Sequence, residues 1–350
     1  MSRFVPPRCP NRSCAMHRSP EPGFFQRRGC YQPKCRSEPV PRFHCKSCKR
    51  GFSFQTFRVD HRDHRPDANP HVFLDLASGV GLRQCARRVR LSSRGVQWKF
   101  RKLARALALL NDNLTHTLPG NRTYLLDEIE SFVQSSILCV TMPLLIEKES
   151  MLLVATDVAK IRRKQKTGSW RARWLEQHEQ QHGRRPDASR ACVRGVLRRF
   201  KVLLGGARAT LLTDLKSSYA TLVHELFGEQ LEHSRFSGKL PRTVHNPLFR
   251  INLTDAMLRD NLGRLRRRSW LHSKIEPCLA LHLQLFACYR NWVRKRTNQD
   301  AKGRTPGVVL GLVDRELDER QVVAWRQDWG ALSIHPASAT GAETVRQKVA

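Results

Sequence analysis

The sequence predicts a multidomain α/β protein with a small cysteine-rich module at its N-terminus, a helical segment, a mixed sheet flanked by helices, and a helical C-terminal part. Three observations favour this fold class. Six of the eleven cysteines lie in residues 1–50. Apolar residues recur at helical spacing over 72–110, and beyond 122 short strand-like apolar runs alternate with amphipathic helices. A length of 350 residues allows one sizeable core with small accessory modules.

The chain is strongly basic. It carries 63 Lys and Arg against 30 Asp and Glu, a formal net charge of +33. This exceeds what solubility requires and indicates a polyanionic partner, because each neutralised phosphate releases counterions and adds affinity. Nucleic acid is the expected partner, and a solvated basic surface like that of a ribosome-associated protein is the alternative. The apolar fraction of 40% argues against disorder throughout.

The sequence shows no sign of a membrane segment. No apolar run reaches the roughly 18 residues that span a bilayer, and the first residues lack the apolar core of a signal peptide. We therefore expect a cytoplasmic protein without a membrane partner. In that reducing compartment, paired cysteines bind metal more often than they form disulfides.

Two cysteine pairs bracket the N-terminal module. Cys9 and Cys14 are separated by four residues, and Cys45 and Cys48 by two. Two such pairs joined by a hairpin place four thiolates tetrahedrally around Zn²⁺, and the metal would supply the folding energy that so short a segment lacks. The sequence thus predicts a zinc site in residues 1–55; free cysteines are the alternative.

A third pair, Cys30 and Cys35, is interpreted as a bystander. These cysteines could also replace one of the other pairs, or form a second site with His17 or His44. Residues 56–71 are rich in Arg, His, Asp and Pro without periodicity, and are predicted to be a linker.

Residues 72–118 predict a helix-turn-helix. A short helix ends at Ser78-Gly79, a second follows from Leu82, and Ser92 or Ser93 caps a third. Basic residues crowd the polar face of the third helix, so we expect it to read DNA. The residues predicted to contact DNA are Arg94, Gln97, Lys99 and Arg101. A plain helical hairpin packed on the main domain is the alternative.

Two aspartates follow or interrupt strand-like runs. Asp127 lies inside the first of three predicted strands over 122–160, flanked by leucines that make its burial costly unless it is paired or binds a metal. Asp214 ends a short strand and precedes a helix, which places it at the carboxyl edge of the sheet. Glu128 and Glu130, beside Asp127, are interpreted as surface residues.

A third polar point opens an arginine-rich helix predicted over about 250–270. It is either Asn252 or Asp255, one helical turn later. With Asp127 and Asp214 it would complete a set of oxygen ligands for two divalent ions, and hard oxygen ligands favour Mg²⁺ or Mn²⁺. The structural alternatives are an Asp127–arginine pair and helix capping by Asp214 and Asn252.

The blocks resemble, in their order, bacterial insertion-sequence transposases of the DDE type. One is Arg-Phe-His-Cys-Lys-Ser-Cys-Lys-Arg-Gly-Phe-Ser before the three predicted helices; the next is Leu126-Asp-Glu-Ile-Glu-Ser-Phe132. The last comprises Thr213-Asp214 with Tyr219, followed by Asn252-Leu-Thr-Asp-Ala-Met-Leu-Arg259. Together they span roughly residues 9–296.

This resemblance implies a zinc ribbon over 1–55, a helix-turn-helix over 72–118 and a ribonuclease H-like catalytic domain over 119–296. Beyond it, the residues themselves predict one helix over 314–326 and a loose Ser-, Ala-, Thr- and Gly-rich end within 297–350. Asp127 and Asp214 match the first two catalytic acids. Asn252 stands where the family has Glu; similar enzymes that use Asn there add a downstream Lys, here Lys274. Arg264 and Arg268, with Lys274, are predicted to neutralise DNA phosphates.

The implied activity is strand cleavage at transposon ends and strand transfer into target DNA. Double-stranded DNA would be the partner, the protein would act as a homo-oligomer on it, and its location would be the bacterial cytoplasm, associated with the nucleoid. The rival classes are a non-catalytic zinc-ribbon and helix-turn-helix regulator, an inactive transposase remnant, and an RNA-binding protein. Metal-dependent DNA cleavage separates a transposase from the regulator, and an RNA-binding protein would show no preference for terminal-repeat DNA.

Overall fold

The computed structural model describes residues 4–33, 38–241, 243–265 and 270–326. The chain divides into two compact units, Met1–His71 with Glu319–Ala350, and Val72–Asp318. Together they form a mixed α/β protein, as the sequence predicted. Among the described residues, no helix combines the length and apolarity needed to cross a membrane.

A three-stranded antiparallel sheet forms the core of the first unit. A helical turn α1 (Ala15–Arg18) precedes β1 (Phe25–Tyr31), β2 (Val40–Cys45) and β3 (Gly51–Phe52). Phenylalanine rings from all three strands pack around the cysteines and bury them. Residues 56–71, predicted to be a linker, include the buried Phe57 and Val59 and a 3₁₀ turn over Pro66–Ala68.

Three helices open the second unit, close to the predicted positions. They are α2 (Asn69–Ala77), α3 (Leu82–Arg88) and α4 (Ser93–Leu114). Ser92 caps α4 by accepting a hydrogen bond from the Gly95 N–H at 3.0 Å, which confirms one of the two predicted caps. The apolar side of α4 packs along a later helix of the same unit, so α4 is also part of the scaffold.

The large sheet follows. The three predicted strands are confirmed as β4 (Thr123–Phe132), β5 (Cys139–Glu147) and β6 (Leu153–Thr156), with a short β7 (Ala159–Lys160) paired to β5. After α5 (Trp170–His182) and α6 (Ser189–Leu204), β8 (Ala209–Asp214) pairs parallel to β4. Helix α7 (Ser217–Phe227) leads to β9 (Leu231–Phe236), and the strand order is β6-β5-β4-β8-β9.

Helices cover both faces of this sheet, which is why its central strands are apolar on both sides. One face packs on α8 (Phe249–Asn261) and α9 (Glu276–Trp292), and the other on α6 and α7. Helix α8 ends at Asn261, not near residue 270 as predicted. Asn111 of α4 joins α9 by accepting hydrogen bonds from Asn291 and Trp292, both at 3.0 Å.

Two short helices close the described chain. In α10 (Pro306–Val309), a Cβ on Gly307 would lie 2.2 Å from Trp292, so only glycine fits there. The predicted helix over 314–326 is shorter, α11 (Glu319–Ala324), and belongs to the first unit. The predicted loose tail beyond residue 326 lies outside the described residues.

Candidate ion sites and nucleic-acid surfaces

The parallel pairing of β4 with β8 brings two predicted acids side by side. The register runs from Thr123 opposite Thr210 to Leu126 opposite Thr213, and one step further it places Asp127 beside Asp214. Neighbouring strands lie about 4.8 Å apart, and residues in register on parallel strands share a face of the sheet. We call Asp127 and Asp214 the aspartate pair.

Asp127 is half-buried beneath apolar neighbours. Burial raises the pKa of its carboxyl to about 6, the nearby charge of Asp214 adds to the rise, and a hydrogen bond from the Glu128 N–H opposes it. That N–H donates to Oδ1 of Asp127 at 2.7 Å. The raised pKa shows that the folded chain disfavours a bare negative charge here, which is the environment that a cation would relieve.

Asp214 bonds to the backbone of the next turn. Its Oδ1 accepts the Lys216 N–H at 2.9 Å, whereas the N-cap of α7 is Lys216 itself, without a side-chain cap. Asp214 therefore stabilises the turn before the helix rather than capping it. Within the described part of the chain, the Oδ2 atoms of Asp127 and Asp214 accept no hydrogen bond.

The third point lies on α8. Ile251, Thr254 and Leu258 are buried, and Asn252 and Asp255 lie on the adjoining flank of the helix. Arg259 shares that flank and donates to the Glu130 carbonyl of β4 at 3.2 Å, so the flank runs along β4. Among the described residues, however, Asp255 does not join the aspartate pair in a group of three acids with ligand atoms within 4.8 Å.

Two of the predicted phosphate-binding cations, Lys274 and Arg264, lie in the described part of the chain. The Lys274 ammonium contacts the His272 ring at 2.8 Å. The preceding residue, Ser273, forms an isolated parallel β-bridge with Val133. Val133 is six residues beyond Asp127, about 20 Å along an extended strand. The segment that carries Lys274 thus meets the chain just beyond the end of β4, on the far side of Asp127.

Arg264 is bound inside the second unit. It donates to His282 at 3.0 Å and to Ser273 at 3.2 Å, and lies over the Phe100 ring. Burial and the Arg264 charge lower the pKa of His282 to about 3, so this ring is neutral and accepts from Arg264. Arg264 supports the scaffold, and Arg268 lies outside the described residues.

Sequence reasoning missed Glu128. It was interpreted as a surface residue, but its side chain is only 8% exposed and lies on the sheet face opposite the aspartate pair. Its Oε1 accepts from Thr141 at 2.9 Å and Ser189 at 2.8 Å; its Oε2 accepts from Tyr219 at 2.9 Å and pairs with Lys216.

These partners also set the charge of Glu128. Burial alone would raise its pKa, but the Lys216 ammonium and the hydroxyl donors outweigh burial and hold the pKa below the ordinary value. The sequence did contain a signal for the burial of Glu128, because this residue lies on a predicted strand. A central strand that helices cover on both faces buries the side chains of both faces.

The aspartate pair fits a hard divalent cation. It offers two carboxylates from adjacent strands, in a half-buried setting that disfavours an isolated negative charge. Asn252 or Asp255 would add an amide or carboxylate oxygen. Such oxygen donors are those that Mg²⁺ and Mn²⁺ prefer.

The four predicted thiols lie together in the first unit. Cys9, Cys14, Cys45 and Cys48 have all their sulfur atoms within 4.8 Å of one another, and we call them the cysteine cluster. The Cys9–Cys48 and Cys14–Cys45 sulfur distances are 3.5 and 3.8 Å. A tetrahedron with Zn–S bonds of about 2.3 Å has sulfur atoms about 3.8 Å apart.

The pKa values of two thiols in this cluster shift in opposite directions. Burial raises the pKa of Cys9 to about 12. For Cys48, the penalty of burial is outweighed by hydrogen bonds from Arg50, Asn11 and the neighbouring thiols, and the pKa falls to about 6. The cluster therefore fits Zn²⁺, which would hold the remaining thiols as thiolates.

Among the described residues, the cysteine cluster does not include Cys30, His17 or His44. Cys30 is exposed and accepts from Arg27 at 3.7 Å, and Cys35 lies outside the described residues. His17 Nδ1 bonds the Cys9 carbonyl at 2.7 Å, and His44 lies against Gly51.

The four residues of α4 that are predicted to contact DNA differ in exposure. Arg94 is exposed, and Gln97 and Arg101 are half-buried, while Lys99 is 7% exposed. Lys99 falls on the apolar stripe with Val96 and Phe100, so we correct its expected role: it points into the unit. Trp98, 59% exposed, lies between Arg94 and Arg101 on the outer face.

The first unit carries a second basic surface. A groove of about 720 Å³ beside β2 is lined by four arginines and two histidines, and none of the described residues that line it is acidic. Its basic residues are Arg12, Arg42, His44, Arg50, His61 and Arg62. Such a surface suits a phosphate backbone.

Comparisons with known proteins do not identify a family for this chain. No protein-family model matches the chain, and no curated protein matches its sequence. A chain in the cryo-EM structure of the simian T-cell lymphotropic virus intasome in complex with PP2A regulatory subunit B56 gamma is similar over 69% of this chain and 72% of that chain, at 12% identity and a TM-score of 0.27. A likeness this low supports no inference about fold or function.

Proposed function

We propose that this protein is a DNA transposase that cleaves DNA at transposon ends and joins it to target DNA in a reaction that depends on Mg²⁺ or Mn²⁺. The observation that carries the proposal is the aspartate pair, two acids aligned on adjacent parallel strands of a sheet covered by helices. The resemblance of the surrounding blocks to ribonuclease H-like transposases supports the same reading.

Asp127 and Asp214 would hold the divalent ions, with Asn252 or Asp255 as a further ligand from α8. The chemistry expected of bound divalent ions is activation of water or a DNA 3′-hydroxyl and stabilisation of the leaving oxygen. Asp127 must give up its proton before it can act as a ligand, and its raised pKa makes that step dependent on pH. An Asn252 ligand would add no charge, so the second ion would be held weakly.

DNA binding is supported by the charge of +33, the outer face of α4 and the groove of the first unit. Arg94, Gln97 and Arg101 are proposed to contact transposon ends. The cysteine cluster would hold Zn²⁺ as a structural ion. A homo-oligomer on paired ends, in the bacterial cytoplasm and associated with the nucleoid, completes the proposal.

A nicking and joining assay tests this function. The full chain is incubated with Mn²⁺ and DNA carrying the inverted repeats that flank its coding region. We expect cleavage by the wild-type protein and a loss of at least about 100-fold in Asp127→Ala and Asp214→Ala, whereas Glu229→Ala, an exposed matched control, stays active. Full activity in both aspartate variants contradicts the proposal. DNA binding without cleavage by the wild type favours the regulator or remnant instead.

A further inference from the structure

A polar cluster lies beneath the aspartate pair, on the opposite face of the sheet. Glu128 is its centre, and its four partners come from β5, from the first turn of α6, from the residue before α7, and from α7 itself. Lys216 also donates to Ser189 at 3.0 Å, so the ammonium contacts two members of the cluster. A surface ion pair does not need so many partners.

The same two residues that form the ion pair also bond to the two aspartates. The Glu128 N–H donates to Asp127 at 2.7 Å, and the Lys216 N–H donates to Asp214 at 2.9 Å. Glu128 thus holds Asp127 through its backbone N–H, and Lys216 holds Asp214 in the same way. The side chains of Glu128 and Lys216 in turn pair with each other. A continuous chain of contacts runs Asp127–Glu128–Lys216–Asp214.

We propose that Glu128 and Lys216 form a clamp that positions Asp127 and Asp214 for ion binding, an inference that rests on the proposed function. The clamp fixes the end of β8 and the start of α7 relative to β4, so that both carboxylates stay aligned. Glu128 and Lys216 are positioning residues, because neither carboxylate nor ammonium is on the face of the sheet where the ion would lie.

The clamp has a second effect on charge. The Lys216 ammonium acts on Asp127 through space, and without Glu128 it would be left unpaired near two carboxylates. An unpaired ammonium there would compete with a divalent cation for Asp127 and Asp214. Conversely, without the Lys216 ammonium the buried Glu128 carboxylate would lose its positively charged partner.

The experiment measures Mn²⁺ affinity of the full chain by electron paramagnetic resonance. The variants are Glu128→Gln, Lys216→Met and their double mutant. Two controls accompany them: Lys216→Arg keeps the charge, and Glu130→Gln changes a neighbouring exposed acid that pairs with Arg163. We expect affinity to fall about 10- to 100-fold in each single variant, as for lost partners of metal ligands. Lys216→Arg and Glu130→Gln should stay within about threefold of wild type.

The double mutant separates a clamp from two unrelated effects. Because either substitution breaks the same contact, the double mutant should bind Mn²⁺ no more weakly than the worse single variant. In cleavage assays of Glu128→Gln and Lys216→Met, the Mn²⁺ concentration that gives half of the maximal rate should rise. The rate at saturating Mn²⁺ should stay that of the wild type. A general loss of stability would instead lower the melting temperature without shifting that concentration.

The failures can be told apart. If wild type and Asp127→Ala bind Mn²⁺ equally, the proposed function fails. If Mn²⁺ binding depends on Asp127 but Glu128→Gln or Lys216→Met binds like wild type, the clamp is wrong. Should Glu128→Gln not fold, Lys216→Met decides the question alone, because the Lys216 side chain is 39% exposed and its loss is tolerable.

Discussion

The two candidate ion sites of this protein are built in opposite ways. The cysteine cluster joins residues from two short loops, with all four sulfur atoms within 4.8 Å and phenylalanines packed around them. The aspartate pair joins residues 87 positions apart (214 − 127) through the register of two parallel strands, and it stays half-exposed. One site is closed and its ligands are complete, while the other is open and needs a further ligand.

This difference explains what each site does for the fold. Zinc bound by the four thiolates would contribute folding free energy directly. Burial raises the pKa of the Asp127 carboxyl, so its charged form is disfavoured in the fold. A structural ion site thus stabilises its unit, and a site for chemistry is tolerated by the rest of the fold.

The largest expected effect is the loss of zinc. Cys45→Ser should abolish stoichiometric zinc and unfold the three-stranded sheet, because structural zinc in such modules is worth on the order of 10 kcal/mol. Metal analysis and hydrogen exchange of residues 40–52 measure this. Cys30→Ser, at an exposed cysteine outside the cluster, is the control and should keep both zinc and protection. Protected amides in Cys45→Ser would show that the cluster is not a folding element.

A substitution in the aspartate pair should have the opposite effect on stability, because it should stabilise the metal-free protein. The pKa of Asp127 is about 6 in the fold against an ordinary value of 3.8, so the folded chain binds the proton more tightly and the free energy of unfolding falls as pH rises from about 4 through 6. Asp127→Asn in metal-free protein should therefore be more stable than wild type at pH 8, by about 1 kcal/mol for this half-exposed group, and little different near pH 4.

Thermal melting in a chelating buffer at both pH values measures this. Glu229→Gln, an exposed substitution, should melt like wild type at each pH. A destabilised Asp127→Asn at pH 8 would mean that Asp127 is a structural group like the cysteines, and the contrast between the two sites would disappear.

The smallest effect concerns α4. Arg94→Ala should weaken DNA binding a few-fold and reduce the slope of log affinity against log salt by about 1, whereas Lys99→Ala should leave the slope unchanged and lower the melting temperature, because Lys99 packs inward. Fluorescence anisotropy over a salt series measures both. Equal slopes for wild type and Arg94→Ala would remove α4 from the proposed DNA surface.

What the sequence could predict follows the same division. The cysteine spacing, the Ser92 cap and the strands that carry Asp127 and Asp214 depend on short-range patterns, and the structure contains all of them. The burial of Glu128 and Lys99, and the contacts of Arg264 with His282 and Ser273, were not predicted because they depend on parts of the chain remote in sequence. The end of α8 at Asn261 was missed for a related reason: leucines beyond it continue the apolar spacing without continuing the helix.

Anomalous diffraction from crystals of the full chain soaked in Mn²⁺ tests the central claim most directly. Data at the zinc and manganese absorption edges distinguish the two ions within one molecule. The expected result is zinc among Cys9, Cys14, Cys45 and Cys48, and manganese between the carboxylates of Asp127 and Asp214. Zinc at the cysteine cluster without manganese at the aspartate pair would contradict the assignment of the sheet edge as a divalent-ion site.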